Sequence, residues 1–104
     1  HVDLVLNGHD HDYERSKPLT GPVDQPTTHS SFADGTVYMV CAGSGAEGYG
    51  SGTSAFTETS HTFQSPEIGV YGILEASKTT LTLTAHTLAA DGSDPVLDTM
   101  TIQK

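Results

Sequence analysis

The chain has 104 residues, 35% of them hydrophobic, with no Trp, four Lys plus Arg against thirteen Asp plus Glu, and a formal charge of −9. That length allows one domain with a small core. The acidic balance excludes the usual binders of nucleic acid and of anionic membranes, which need Lys and Arg, and it repels phosphorylated ligands unless a metal ion supplies positive charge.

The first element is "VDLVL" (2–6), an apolar run that reads as a strand buried on both faces. It ends in Asn7-Gly8 and then alternates His9-Asp10-His11-Asp12. In extended backbone, residues two apart share a side, so His9 and His11 are expected to present both imidazoles to one face, with Asp10 and Asp12 turned away. Gly8, without a Cβ, is expected to let the backbone turn sharply there. Two imidazoles on one side suit zinc, iron or manganese, but catalytic zinc takes three protein ligands and structural zinc four. His29, His61 and His86 have no ligand spacing. His29 falls in a loop, His61 in polar, solvent-facing surroundings, and His86 on the wet face of a strand.

Residues 16–35 carry three prolines, two glycines and no period, and read as a long surface loop. "GTVYMVCAG" (35–43) reads as a second strand buried on both faces, with Cys41 as a small buried hydrophobe. The glycine-rich "GSGAEGYGSGTSAF" (43–56) is expected to form no packed element, and it lacks the Gly-Lys-Ser/Thr of a phosphate loop. The rest predicts three antiparallel strands. "IGVYGILEAS" (68–77) leads to a turn at Ser77-Lys78. In "TLTLTAHTL" (80–88) Leu81, Leu83 and Ala85 face in, and Thr82, Thr84 and His86 face out. After the turn "AADGSDP", "VLDTMTIQ" (96–103) sets Leu97, Thr99 and Thr101 opposite to Val96, Asp98, Met100 and Ile102. No helix and no internal repeat are expected. The composition, poor in Lys and rich in Thr, Ser and Gly, leans towards an extracytoplasmic (secreted or periplasmic) setting. The start at His1, directly before a strand, reads as a segment of a longer protein.

"GHDHDYERS" (8–16) resembles the last metal-binding block, Gly-His-x-His, of the calcineurin-like metallophosphoesterases, and with "YER" behind it most of all the purple acid phosphatases. The order that follows is similar throughout: a variable loop, "GTVY", a glycine-rich turn, "YG", and a last hairpin ending in "DGSDPVLDTMTIQK". The resemblance implies a β-dominated fragment, mostly antiparallel with a long loop, of an α/β/β/α sandwich, with residues 1–104 forming the C-terminal portion of the catalytic domain. It implies a binuclear centre of iron with zinc, manganese or a second iron, in which His9 ligates the divalent ion and His11 the iron. Tyr13, Glu14 and Arg15 match "YER" and are expected either to support the ligands from behind or to be structural, with Glu14 and Arg15 pairing or bracing the loop. The family's earlier ligand blocks and its general acid are not in this sequence, so no catalytic residue is assigned within the chain. The implied partners are a phosphate-ester substrate and the N-terminal portion of the same enzyme, with self-association of the chain alone. The alternative from a different class is a non-catalytic β-rich binding or structural module.

Overall fold

The structure, a computed structural model, describes every residue from His1 to Lys104 except Ser44 and Ser51. In chain order the strands are β1 (Leu4–Asn7), β2 (Tyr13–Ser16), β3 (Leu19–Thr20), β4 (Thr27–Thr28), β5 (Val37–Cys41), β6 (Thr57–His61), β7 (Glu67–Ala76), β8 (Thr80–Ala89) and β9 (Val96–Gln103). A 3-10 turn, Phe32–Asp34, precedes β5. The fold is β-dominated and mostly antiparallel. One sheet has the order β1-β5-β2-β6, a second is the meander β7-β8-β9, and β3 pairs with β4 in a small ladder.

Alternation in β8 and β9 builds the shared core. Leu81 lies opposite Ile102 and Leu83 opposite Met100, so these apolar side chains line one face of the meander. They meet Tyr13, Val37 and Met39 of the four-stranded sheet, with Phe63, Val70 and Ala85 completing the buried cluster. Leu83 is 1% exposed, and burial of such a side chain contributes roughly 2 kcal/mol. Thr82, Thr84 and His86 face outward, as their alternation predicts. At the start of β9 a register shift beside Ala85/His86 breaks the period. Leu97 therefore packs against the core while Val96 is left exposed, a reversal of the sequence-based expectation that a bulge explains, because it offsets the pleat by one residue.

Three other expectations are corrected. The run 2–6 is not buried on both faces: β1 is an edge strand, and Val2 and Leu6 are exposed. β5 is buried on one face through Val37 and Met39, whereas Tyr38 on the other is exposed. Residues 16–35 are not a structureless loop. They hold the β3–β4 ladder, turned at Gly21 with φ +90°, and the 3-10 turn capped by the Ser31 hydroxyl. β2 and β6, which the sequence reading does not anticipate, carry polar sequences whose partners lie far away in the chain. The glycine-rich stretch forms no strand or helix among its described residues, as expected.

The position of β5 decides the geometry around the histidines. It lies between β1 and β2, parallel to the first and antiparallel to the second. Neighbouring strands are about 4.8 Å apart, so residues 8–12 must travel roughly two strand spacings sideways across the C-terminal end of β5. Ala42 N–H donates to the Asp12 carbonyl at 3.2 Å and ties the crossing to that end.

Candidate functional site

A chain that must move sideways cannot stay extended. Residues 9–12 form a bend, and His9 adopts φ +84°. That conformation is uncommon for a side chain bearing Cβ and costs about 1–3 kcal/mol. The same-face argument for His9 and His11 therefore fails, because it required extended backbone. The role expected of Gly8 also moves: its φ is not positive, a Cβ there would meet nothing within 4 Å, and the strained position is His9. The bend nonetheless sits at the C-terminal ends of the parallel pair β1 and β5, where sites gather in sheets with parallel strands.

The two histidines differ in how they are held. His9 is exposed. His11 is half-buried and fixed on two sides by the glycine-rich stretch. Its Nδ1 lies 2.8 Å from the Glu47 carbonyl oxygen, its ring stacks on Tyr49 with centroids 4.2 Å apart, and its own carbonyl accepts from Tyr49 N–H at 2.9 Å. A carbonyl only accepts, so Nδ1 carries the hydrogen, and in the neutral ring Nε2 presents a lone pair. A backbone carbonyl orienting one ring nitrogen is the usual support of a metal-ligating histidine.

Phe63 explains why the stretch that holds His11 is rich in glycine. Its ring is 3% exposed. A Cβ on Gly43, which has φ +107°, would overlap the Phe63 ring, and one on Gly48 would overlap the Phe63 carbonyl. Only glycine lets this backbone close over Phe63 and place Glu47 and Tyr49 against His11.

Asp12 does not face water. It is 4% exposed, and its Oδ1 is buried with no hydrogen-bond partner among the described residues. Burial first, then the charge of Asp10, raises its pKa. Glu14 is raised by burial and then by Asp12 and Asp10.

Tyr13 and Arg15 point to the opposite side of β2 from Glu14, into the core. Arg15 pairs with Asp98 of β9, not with Glu14: Nε donates to Oδ2 at 2.6 Å and Nη2 to Oδ1 at 3.1 Å. The Tyr13 hydroxyl donates to the same Oδ2 at 2.6 Å. Burial opposes the charge on Asp98, but the hydrogen bonds from Arg15 and Tyr13 and the Arg15 charge outweigh it and hold the carboxyl below its ordinary range. Burial also opposes the Arg15 charge, and Asp98 reverses that and raises the guanidinium. The expected bracing by Tyr13 and Arg15 thus acts between the sheets, on the strand that follows His11.

The other ligand candidates, His29, His61 and His86, are satisfied elsewhere. His29 meets the Thr20 hydroxyl at 2.7 Å. His61 is not solvent-facing: it is partly buried and lies 2.8 Å from Glu67. His86 stacks on Tyr71, with Nδ1 2.8 Å from the Asp94 carbonyl. Cys41 packs against the core, and burial raises its thiol pKa. Among the described residues no group of three or more His, Cys, Asp or Glu is arranged to hold a metal ion. Glu47, Tyr49 and Asp98 escape sequence reasoning because no spacing links them to the His motif. The aromatic ring at Tyr49 inside a glycine-rich stretch is the one local signal.

No protein-family model and no solved structure matches the chain. Two proteins of Mycobacterium tuberculosis, uncharacterized protein MT2654 of strain CDC 1551 and uncharacterized protein Rv2577 of strain H37Rv, are each 44% identical over an alignment that covers 42% of this chain and 10% of the relative. The similarity thus spans about a tenth of the length of the curated relatives it matches.

Proposed function

We propose that the chain supplies the ligands His9 and His11 to a binuclear metal phosphoesterase centre of the purple acid phosphatase-like, calcineurin-like kind. The carrying observation is His11, whose Nδ1–H is taken by the Glu47 carbonyl, so that in the neutral ring Nε2 keeps its lone pair for a metal. The donor set fits part of a metal centre. One imidazole is oriented and one is exposed on a strained hinge, and the further ligands that two ions require would come from outside this chain. Two such ions, held by His9, His11 and ligands from outside this chain, would supply Lewis-acid activation of a phosphate ester and of an attacking water. The chain's own part is to fix the His11 ring by stacking on Tyr49 and to hold β2 rigid through Tyr13, Arg15 and Asp98. The α/β/β/α sandwich, the phosphate-ester substrate, the remaining enzyme portion as partner and a setting outside the cytoplasm belong to the same proposal.

A non-catalytic β-rich module is the second reading. Its support is that Tyr13 and Arg15 are both engaged in joining the two sheets, a role that needs no metal.

The test is titration of the chain with Zn2+ or Mn2+, followed by NMR of the imidazole nitrogens. The first reading expects the His11 Nε2 resonance to move, with loss of the effect in His11→Ala. It also expects no hydrolysis of p-nitrophenyl phosphate by the chain alone, because two ligands cannot hold two ions and no general acid is present. In a longer protein carrying this chain, His9→Ala or His11→Ala lowers metal content and activity together, and Asp10→Ala matters less. Metal-induced shifts at His29, His61 or His86 with none at His11 would favour the second reading.

A further inference from the structure

Two leucines that face the core are left in the open. Leu6 lies beside Met39, and Leu74 beside Leu83. Neighbours in register share a face of the sheet, so both leucines point to the side of the buried cluster. Yet Leu6 is 59% exposed and Leu74 44%, against 5% for Met39. The reason is sheet order: β1 and β7 are both edge strands, with nothing beyond them. Between them opens a slot of about 210 Å³, lined by Leu6, Met39, Cys41, Gly72, Leu74 and Leu83, with Asn7 as its one strongly polar residue. The core is unsealed on this side.

The backbone of β1 says what shape would seal it. Val37 N–H donates to the Asp3 carbonyl at 3.0 Å, and Leu4 is paired with Val37 in a parallel register. In a parallel ladder, successive residues of one strand bond alternately to either side. Val5 and Asn7 therefore bond to β5. The N–H and C=O groups of Leu4 and Leu6 turn to the free edge, where they have no partner among the described residues. The sequence of β1 holds no Lys and no Pro, two usual guards of a free edge. Parallel strand pairs are normally covered.

A packed helix would cover the apolar slot but leave these backbone groups unpaired. An added strand does both. No charged residue lines the slot, so the side chain that fills it is apolar. A second copy of this chain would bring two surfaces of charge −9 together. The relatives, by contrast, extend far beyond the aligned stretch, which is a tenth of their length.

We propose that β1 receives a β-strand from the portion of a longer protein that lies outside this chain, hydrogen-bonded to Leu4 and Leu6, with an apolar side chain seated between Leu6 and Leu74. The proposal shares with the phosphoesterase reading only the existence of that portion, and it needs no metal. The test is amide hydrogen exchange on a longer protein carrying this chain, in EDTA, at a concentration where sedimentation shows a monomer. Val5 and Asn7 are internal standards, because they bond to β5. Leu4 and Leu6 are expected to exchange within about tenfold of them. Faster exchange than that at Leu4 and Leu6 would mean that the edge stays open, and would overturn the proposal. Protection found only where dimers form would put a second copy there, and would overturn it equally. Leu74→Lys leaves the β1 backbone untouched and is expected to speed exchange at Leu6 by at least about tenfold, with Val5 unchanged. Unchanged exchange at Leu6 in that variant would show that no strand seats over the slot. If the variant does not fold, the unsubstituted protein still decides. Because EDTA is present throughout, failure of the metal reading leaves each outcome unmoved.

Discussion

The Arg15 guanidinium meets the Asp98 carboxylate across the two sheets through two hydrogen bonds, at 2.6 Å and 3.1 Å. Both side chains are about nine-tenths buried, and the link joins the strand after the His bend to the last strand of the chain. Removing one partner leaves the other charged and unpaired in the core. We expect Asp98→Ala to destabilise the fold by about 3–5 kcal/mol, enough to unfold a small domain. Urea denaturation of the two proteins checks this, and a loss below 1 kcal/mol would mean that water already serves Arg15.

Tyr13 reports on the same cluster at high pH. Burial first, then the hydrogen bond and charge of Asp98, holds its hydroxyl well above the ordinary tyrosine range. Its folded pKa exceeds its unfolded one, so its contribution is complete below about pH 10 and is lost as pH rises further. Tyr13→Phe is expected to lower stability by about 1–2 kcal/mol at neutral pH and to flatten the decline above pH 10. Thermal melts across that range decide it.

Asp12 works in the opposite direction to Asp98. Its folded pKa is raised, so the penalty is absent at low pH and grows as pH rises through its titration. Asp12→Asn should therefore stabilise the chain at pH 7, by about 1–2 kcal/mol, with no gain at pH 3. A loss of stability at pH 7 would show that the carboxylate has a donor in solution.

Gly43 should tolerate no side chain. Its φ of +107° and the Phe63 ring both oppose a Cβ. Gly43→Ala is expected to cost more than about 1 kcal/mol and to loosen the clasp on His11. Hydrogen exchange at Tyr49, whose N–H is bound to the His11 carbonyl, should accelerate, while exchange in β8 is unchanged if the fold survives.

His9 carries the strain of the crossing. His9→Gly relieves it and is expected to raise stability by up to about 1 kcal/mol while removing one proposed ligand. A fall in stability would mean that the imidazole itself makes a stabilising contact.

The amphipathic hairpin β8–β9 was legible in the sequence because alternation is local: Leu81, Leu83 and Ala85 face one way whatever lies elsewhere. The glycine-rich stretch was legible for the same reason, since glycine marks where backbone must turn or approach closely. The His motif could be singled out by its composition, but its geometry could not. Only the insertion of β5 between β1 and β2 forces residues 8–12 sideways and puts His9 at positive φ. Partners far apart in the chain were likewise invisible. Arg15 and Tyr13 reach Asp98 across more than eighty residues, and His11 finds Glu47 and Tyr49 across some thirty-six. Periodicity states which way a side chain points on its own strand. Which strand lies opposite, and so which carboxylate is paired and which is left buried alone, is set by sheet order, which belongs to the tertiary structure.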